Sequence, residues 1–113
     1  FAGIEALRGD QAQVKKMIKE FKLRRDYLVN ELNLIENVSC LKPGGAFYVF
    51  PKINKDQMNS AEISKFLLEN KFVATVPGSS FGLNGENFLR VSYASSIKNL
   101  ERFIIRLRSF MND

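Results

Sequence analysis

Histidine and tryptophan are absent from these 113 residues, cysteine occurs once and proline three times, and apolar residues never form a long uninterrupted run. Without histidine the chain lacks the usual general base near neutral pH, the commonest metal ligand and every Ser–His or Cys–His nucleophile pair. Classical hydrolase chemistry is thereby set aside. The single Cys40 cannot close an internal disulfide or build a cysteine-based metal site, which points to a reducing compartment, the cytoplasm by default. No stretch approaches the roughly 18 apolar residues of a membrane span, and the first residues are not a basic stretch followed by an apolar signal core. Acidic residues are scattered, with no pair spaced as a metal site or an acid–base dyad. Asn37-Val-Ser39 spells a glycosylation sequon, read as chance where no secretory signal accompanies it.

What is present is an ordinary globular composition, 45% hydrophobic and 26% charged with ten phenylalanines, in a chain of 12.9 kDa. That is one domain's worth of polypeptide with an aromatic core. The first residue is Phe1, and Phe1 to Arg8 already reads as helix, so a fragment of a longer protein is expected. Basic residues outnumber acidic ones by 17 to 12, and Lys15, Lys16, Lys19, Lys22, Arg24 and Arg25 fall in one segment. On a helical wheel Val14, Met17, Ile18, Phe21, Leu28 and Leu32 gather on one side while Lys15, Lys19 and Lys22 lie away from it. The segment is therefore an amphipathic helix with a solvated basic face rather than a phosphate-tracking stripe, since no base-stacking or groove-reading motif accompanies it. Arg25 lies within the apolar sector, where it must pair with a carboxylate or leave the stripe along its stem.

Along the chain the pattern predicts an α+β domain: three main α-helices near 10–34, 60–70 and 96–111, packed on a small mixed or antiparallel β-sheet. Its strands are expected near 38–41, 46–50, 73–76 and 88–93. Asp10, Ser60 and Ser95 or Ser96 are candidate helix caps. Strands 38–41 and 46–50 read as a hairpin around a type II turn, with Pro43 fixing the first central φ and Gly44 supplying the positive φ that follows. Cys40 is a small buried strand residue in this reading. Leu100, Phe103, Ile104, Leu107 and Phe110 make the apolar stripe of the last helix. Repeats, low-complexity tracts and linkers are absent.

Two features could carry chemistry. The loop Pro77-Gly-Ser-Ser-Phe-Gly82 has glycines and small hydroxyl residues whose N–H groups could converge on an anion. It is not a nucleotide P-loop, because Gly78 and Gly82 are separated by three residues and no Lys-Ser/Thr pair follows. Arg90 is the sharper candidate, lying within the apolar strand segment Phe88-Leu-Arg-Val91. A guanidinium there either faces solvent on an amphipathic strand or, in a cleft, receives a carboxylate bidentately.

Arg24-Arg-Asp26, Leu41-Lys-Pro-Gly-Gly-Ala-Phe-Tyr-Val-Phe-Pro51, Val73-Ala-Thr-Val-Pro-Gly-Ser-Ser-Phe-Gly82 and Phe88-Leu-Arg-Val-Ser-Tyr-Ala94 together resemble, in order and spacing, the C-terminal part of fold-type I, pyridoxal-phosphate-dependent class I/II aminotransferases of the aspartate-aminotransferase-like kind. The resemblance covers nearly the whole chain. It implies that residues 1–113 are the small domain, residues 1–35 including the helix that enters from a large domain upstream. It further implies that Arg90 binds the substrate α-carboxylate. The lysine that bonds pyridoxal 5′-phosphate, and the other cofactor-binding groups, belong in this family to the large domain, so no residue here is assigned to catalysis, cofactor or metal. The implied protein is a cytoplasmic homodimer exchanging amino groups between an amino acid and a 2-oxo acid, without nucleic-acid or membrane partners, and this chain by itself is expected to be inert. Two alternatives stand beside it: a free-standing α+β binding module using the basic helix on nucleic acid, and a carbon–sulfur lyase of the same fold.

Overall fold

A computed structural model describes all 113 residues. The order is α1 (Ala2–Arg8), α2 (Ala12–Asn33), β1 (Val38–Ser39), β2 (Tyr48–Val49), β3 (Lys52–Ile53), α3 (Ser60–Lys71), β4 (Val76–Pro77), β5 (Leu89–Ser92) and α4 (Ile97–Asn112), with short 3-10 turns at Gly78–Phe81 and Leu83–Gly85. The fold is α+β, as the periodicity predicts. Its strands form an antiparallel sheet in the order β2-β5-β4 and an antiparallel pair β1-β3, linked by a bridge between Lys52 and Phe88.

The pairing corrects the expected hairpin. β1 pairs with β3, Val38 opposite Ile53, whereas β2 pairs with β5, Val49 opposite Val91. Gly44 does not take a positive φ; that conformation falls on Ala46, at 64°. The Pro43–Phe47 stretch is thus an open bend rather than a type II turn, and it sends β2 away from β1. Long-range bonds fix it there: Arg25 donates to the Pro43 carbonyl at 3.1 Å and the Tyr93 hydroxyl to that of Ala46 at 2.5 Å.

Local chemistry sets the helix ends. Asn33 accepts from the Cys40 N–H at 2.9 Å and donates to the carbonyls of Val29 and Cys40, so one amide closes α2 and anchors the chain entering the sheet. α3 begins one residue earlier than the Ser60 cap expected from sequence. Asn59 accepts from the Glu62 N–H while the Glu62 carboxylate accepts from the Asn59 N–H, a reciprocal box that satisfies two donors orphaned at a helix start. Ser96 caps α4 by accepting from the Asn99 N–H at 3.2 Å, and Asp10 accepts from the Ala12 N–H at the head of α2.

The core gathers Leu28 and Leu32 of α2, Val49, Ile53, Leu89 and Val91 of the sheet, Ile63 and Leu67 of α3, and the expected α4 stripe of Leu100, Phe103, Ile104, Leu107 and Phe110. Each fully buried side chain of this size contributes about 1.5–3 kcal/mol. Cys40 is buried here too, and burial pushes its thiol up to about 11. The apolar stripe expected along α2 is only partly used: Val14, Met17 and Ile18 are exposed, because the sheet and the other long helices meet α2 only in its C-terminal part. Arg25 does pair with a carboxylate, reaching Asp26 at 2.9 Å; Lys42 joins the same carboxylate. Its hydrogen bond, and then those from Arg25, hold Asp26 below the usual range.

Candidate functional site

β5 is the central strand of its sheet, bonded to β2 on one side and β4 on the other. Side chains alternate across it: Leu89 and Val91 go into the core, and Arg90 and Ser92 to the opposite face. In register, Val76 stands opposite Arg90 and Tyr48 opposite Ser92. Tyr48 is therefore a diagonal neighbour of Arg90 on the outer face, within reach of a long side chain.

The guanidinium of Arg90 lies over two aromatic rings, 5.4 Å from the centroid of Tyr48 and 5.3 Å from that of Phe81. Every side-chain hydrogen bond and ion pair of the other arginines, such as Arg25 to Asp26 and Arg108 to Glu31 at 2.7 Å, leaves Arg90 aside. Its donors meet no acceptor within the chain. Tyr48, Phe50, Phe81 and Arg90 bound an open cleft of about 320 Å³. Phe50 meets Phe81 edge-on at 6.0 Å and stacks on Phe88 at 5.1 Å, so a small aromatic cluster floors the cleft. The sequence singled out Arg90 but not these rings. The available signal was the two-residue alternation that puts Tyr48 and Phe50 on one face of a strand, opposite to Val49.

The glycine-rich loop brings Phe81 to this place. Gly78 and Gly85 approach so closely that a Cβ on Gly85 would lie 2.0 Å from the Gly78 carbonyl oxygen. Gly78 N–H donates to the Phe88 carbonyl at 2.7 Å, and Phe88 N–H returns a bond to Gly85 at 3.0 Å. Beneath the loop, Ser60 donates its N–H and hydroxyl to Glu86 at 2.8 and 3.0 Å, and its hydroxyl oxygen accepts from the Ser79 N–H. These bonds hold the Glu86 carboxyl below its ordinary value, the Ser60 N–H being the largest cause. The N–H groups of Gly78, Ser79 and Gly82 are used internally, which makes the loop a rigid mount for Phe81.

No lysine borders the cleft, so these residues offer no amine to bond a phosphorylated aldehyde cofactor. What they can do is present an unspent cationic fork, flanked by apolar faces, to a small carboxylate.

An α+β unit with a central-strand arginine opening into an aromatic cleft has the chemistry to receive a small organic acid. Comparison with known families is more specific: residues 2–107 match the family described as aminotransferase class I and II, and the chain belongs to that family. It is 43% identical over 112 residues to a putative aminotransferase, YugH, of Bacillus subtilis, covering 99% of this chain and 29% of that protein. It is 44% identical over 102 residues to a probable aspartate aminotransferase of Methanocaldococcus jannaschii, covering 90% and 26%. Among solved structures, alanine aminotransferase from Pyrococcus furiosus superposes with a TM-score of 0.94 at 38% identity, over 98% of this chain and 28% of that one. The aspartate aminotransferase from Rhizobium meliloti gives 0.84 at 35%, over 98% and 30%. The chain thus spans a little under a third of the length of these relatives. Neither the free-standing binding module nor the carbon–sulfur lyase gains support from these matches.

Proposed function

We propose that residues 1–113 are the small domain of a pyridoxal-phosphate-dependent aminotransferase, with residues 1–35 leading in from a large domain, and that Arg90 binds the α-carboxylate of its amino-acid and 2-oxo-acid substrates. The observation that carries this reading is the state of Arg90: a guanidinium on the central strand, beside a cleft, with no acceptor of its own. A carboxylate matches that fork in charge and geometry, taking two parallel N–H···O bonds. Pyridoxal 5′-phosphate, when bound in such an enzyme, acts as the electron sink for the amino-group exchange; it is held by residues outside these 113. The residues here fix one end of the substrate, and the rings of Tyr48, Phe50 and Phe81 present apolar faces beside that end. By itself the chain transfers no amino groups. The reading extends to a homodimer working in the cytoplasm, with the buried free thiol of Cys40 in keeping with a reducing compartment.

The test is made in the polypeptide encoded by the full open reading frame. Arg90→Ala is expected to raise KM and to lower kcat/KM by about 2–4 kcal/mol of lost charge-assisted binding, with the cofactor's absorbance unchanged. A variant with unaltered kcat/KM refutes the assignment, and a reading frame that starts just before Phe1 refutes the enzyme.

A further inference from the structure

We infer that Tyr48 and Phe81 are positioning residues for Arg90, holding its guanidinium against their ring faces so that the fork is aimed before any carboxylate arrives. The inference rests on the carboxylate-binding reading of Arg90 and adds to it how the side chain is held.

An arginine offered to a ligand faces a conflict. Its long side chain loses much rotamer freedom on binding unless something fixes it beforehand. The common way to fix it is an acidic or carbonyl neighbour, and such a neighbour occupies the same N–H donors the ligand needs. Both solutions are visible in this chain. Arg25 is held by Asp26 and by the Pro43 carbonyl, and Arg108 by Glu31; their forks are committed. Arg90 is held by ring faces at 5.4 and 5.3 Å, an attraction between cation and ring quadrupole that uses no N–H donor. The planar group is steadied by two rings while its N–H donors stay available.

The rings come from independent parts of the fold, which is why the grip has a direction. Tyr48 is placed by sheet register, its strand neighbour Val49 locked in the core. Phe81 is placed by the loop closed through Gly78 and Gly85 and pinned to α3 by Ser60, and it is braced from behind by Phe50 at 6.0 Å. A single ring would leave the guanidinium freer to swing about its stem.

The experiment uses the full-length polypeptide, with cofactor absorbance confirming that each variant is folded and loaded. Phe81→Leu and Tyr48→Leu, which keep apolar bulk and remove the ring, are each expected to raise KM for the amino donor roughly two- to fivefold while kcat stays within about twofold. Tyr48→Phe, which keeps the ring face, restores KM. A second readout is chemical rescue: Arg90→Ala should regain part of its lost kcat/KM on adding millimolar guanidinium chloride, because the ring slot still accepts the free cation, and this recovery should vanish when Phe81→Leu is added. If Arg90→Ala raises KM but neither leucine variant does, the positioning role is overturned and the carboxylate reading survives. If the leucine variants lower kcat or cofactor loading with KM unchanged, the rings support the fold in general and the inference fails. Unchanged kcat/KM in Arg90→Ala removes both.

Discussion

Gly85→Ala probes the mount on which Phe81 is carried. The added Cβ would lie 2.0 Å from the Gly78 carbonyl oxygen and 2.5 Å from its carbon, and both must recede to about 3.4 Å before the contact is ordinary. The two arms of the loop have little room to part, since Gly78 N–H is bonded to Phe88 at 2.7 Å and Phe88 N–H to Gly85 at 3.0 Å. Forced overpacking costs about 1–3 kcal/mol, and lengthening a bond in this pair adds about 1 kcal/mol, for a total of roughly 2–4 kcal/mol. That is a large share of a domain stability of about 5–15 kcal/mol. Gly44→Ala is the control, because a Cβ there meets nothing within 4 Å and the residue does not hold a positive φ; its effect should stay within about 0.5 kcal/mol. Urea unfolding of the 113-residue chain, followed by circular dichroism, measures both, the expected signature being a lower midpoint for Gly85→Ala at an unchanged slope. Should Gly85→Ala unfold within about 0.5 kcal/mol of the parent, the loop opens freely and the close approach of the two glycines constrains nothing.

Leu107→Ala, in the fully buried stripe of α4, should cost about 2–5 kcal/mol in the same urea assay, and a loss below about 1 kcal/mol would mean that the core collapses around the void. Glu86, held below its ordinary value of 4.5 chiefly by the Ser60 N–H, contributes stability that is present above that value and lost as pH falls through the lower folded one. Glu86→Gln should therefore flatten the acid limb of a stability-versus-pH curve between about pH 5 and pH 2, leaving the similar contribution of Asp26; an acid limb of undiminished slope would refute the assignment. Cys40, its thiol pushed to about 11 by burial, should react with iodoacetamide at pH 8 far more slowly than in urea-unfolded chain, and equal rates would show that the site is open.

The parts of the fold legible in the sequence are those written locally. The α4 stripe from Leu100 to Phe110 and its Ser96 cap repeat at helical spacing, and Arg90 stood out as a charge in an apolar strand. What the sequence concealed is long-range. Pairing of β1 with β3 depends on the bend at Ala46, which Tyr93 and Arg25 stabilise from distant positions. The α3 cap moved to Asn59 because Ser60 is drawn away by Glu86, 26 residues further on. The alternation along Tyr48-Val-Phe50 hinted at one of the aromatic faces beside Arg90, but the approach of Phe81 arises from a loop closure that leaves no spacing to read.

The uneven burial of α2 also governs how this helix moves. At 22 residues it is about 33 Å long, yet its buried side chains, Leu28, Val29 and Leu32, all lie toward the end that meets the sheet. The first half rests on its own backbone bonds, and helical segments shorter than about 12–15 residues are marginal in water. Within these 113 residues that half is the least firmly held part of the helix, and packing begins near Phe21, whose ring meets Tyr93 edge-on at 6.0 Å. Tyr93 also holds the bend that leads into β2. The boundary between the loosely and the firmly packed part of the helix thus coincides with the contact that steadies the bend before Tyr48.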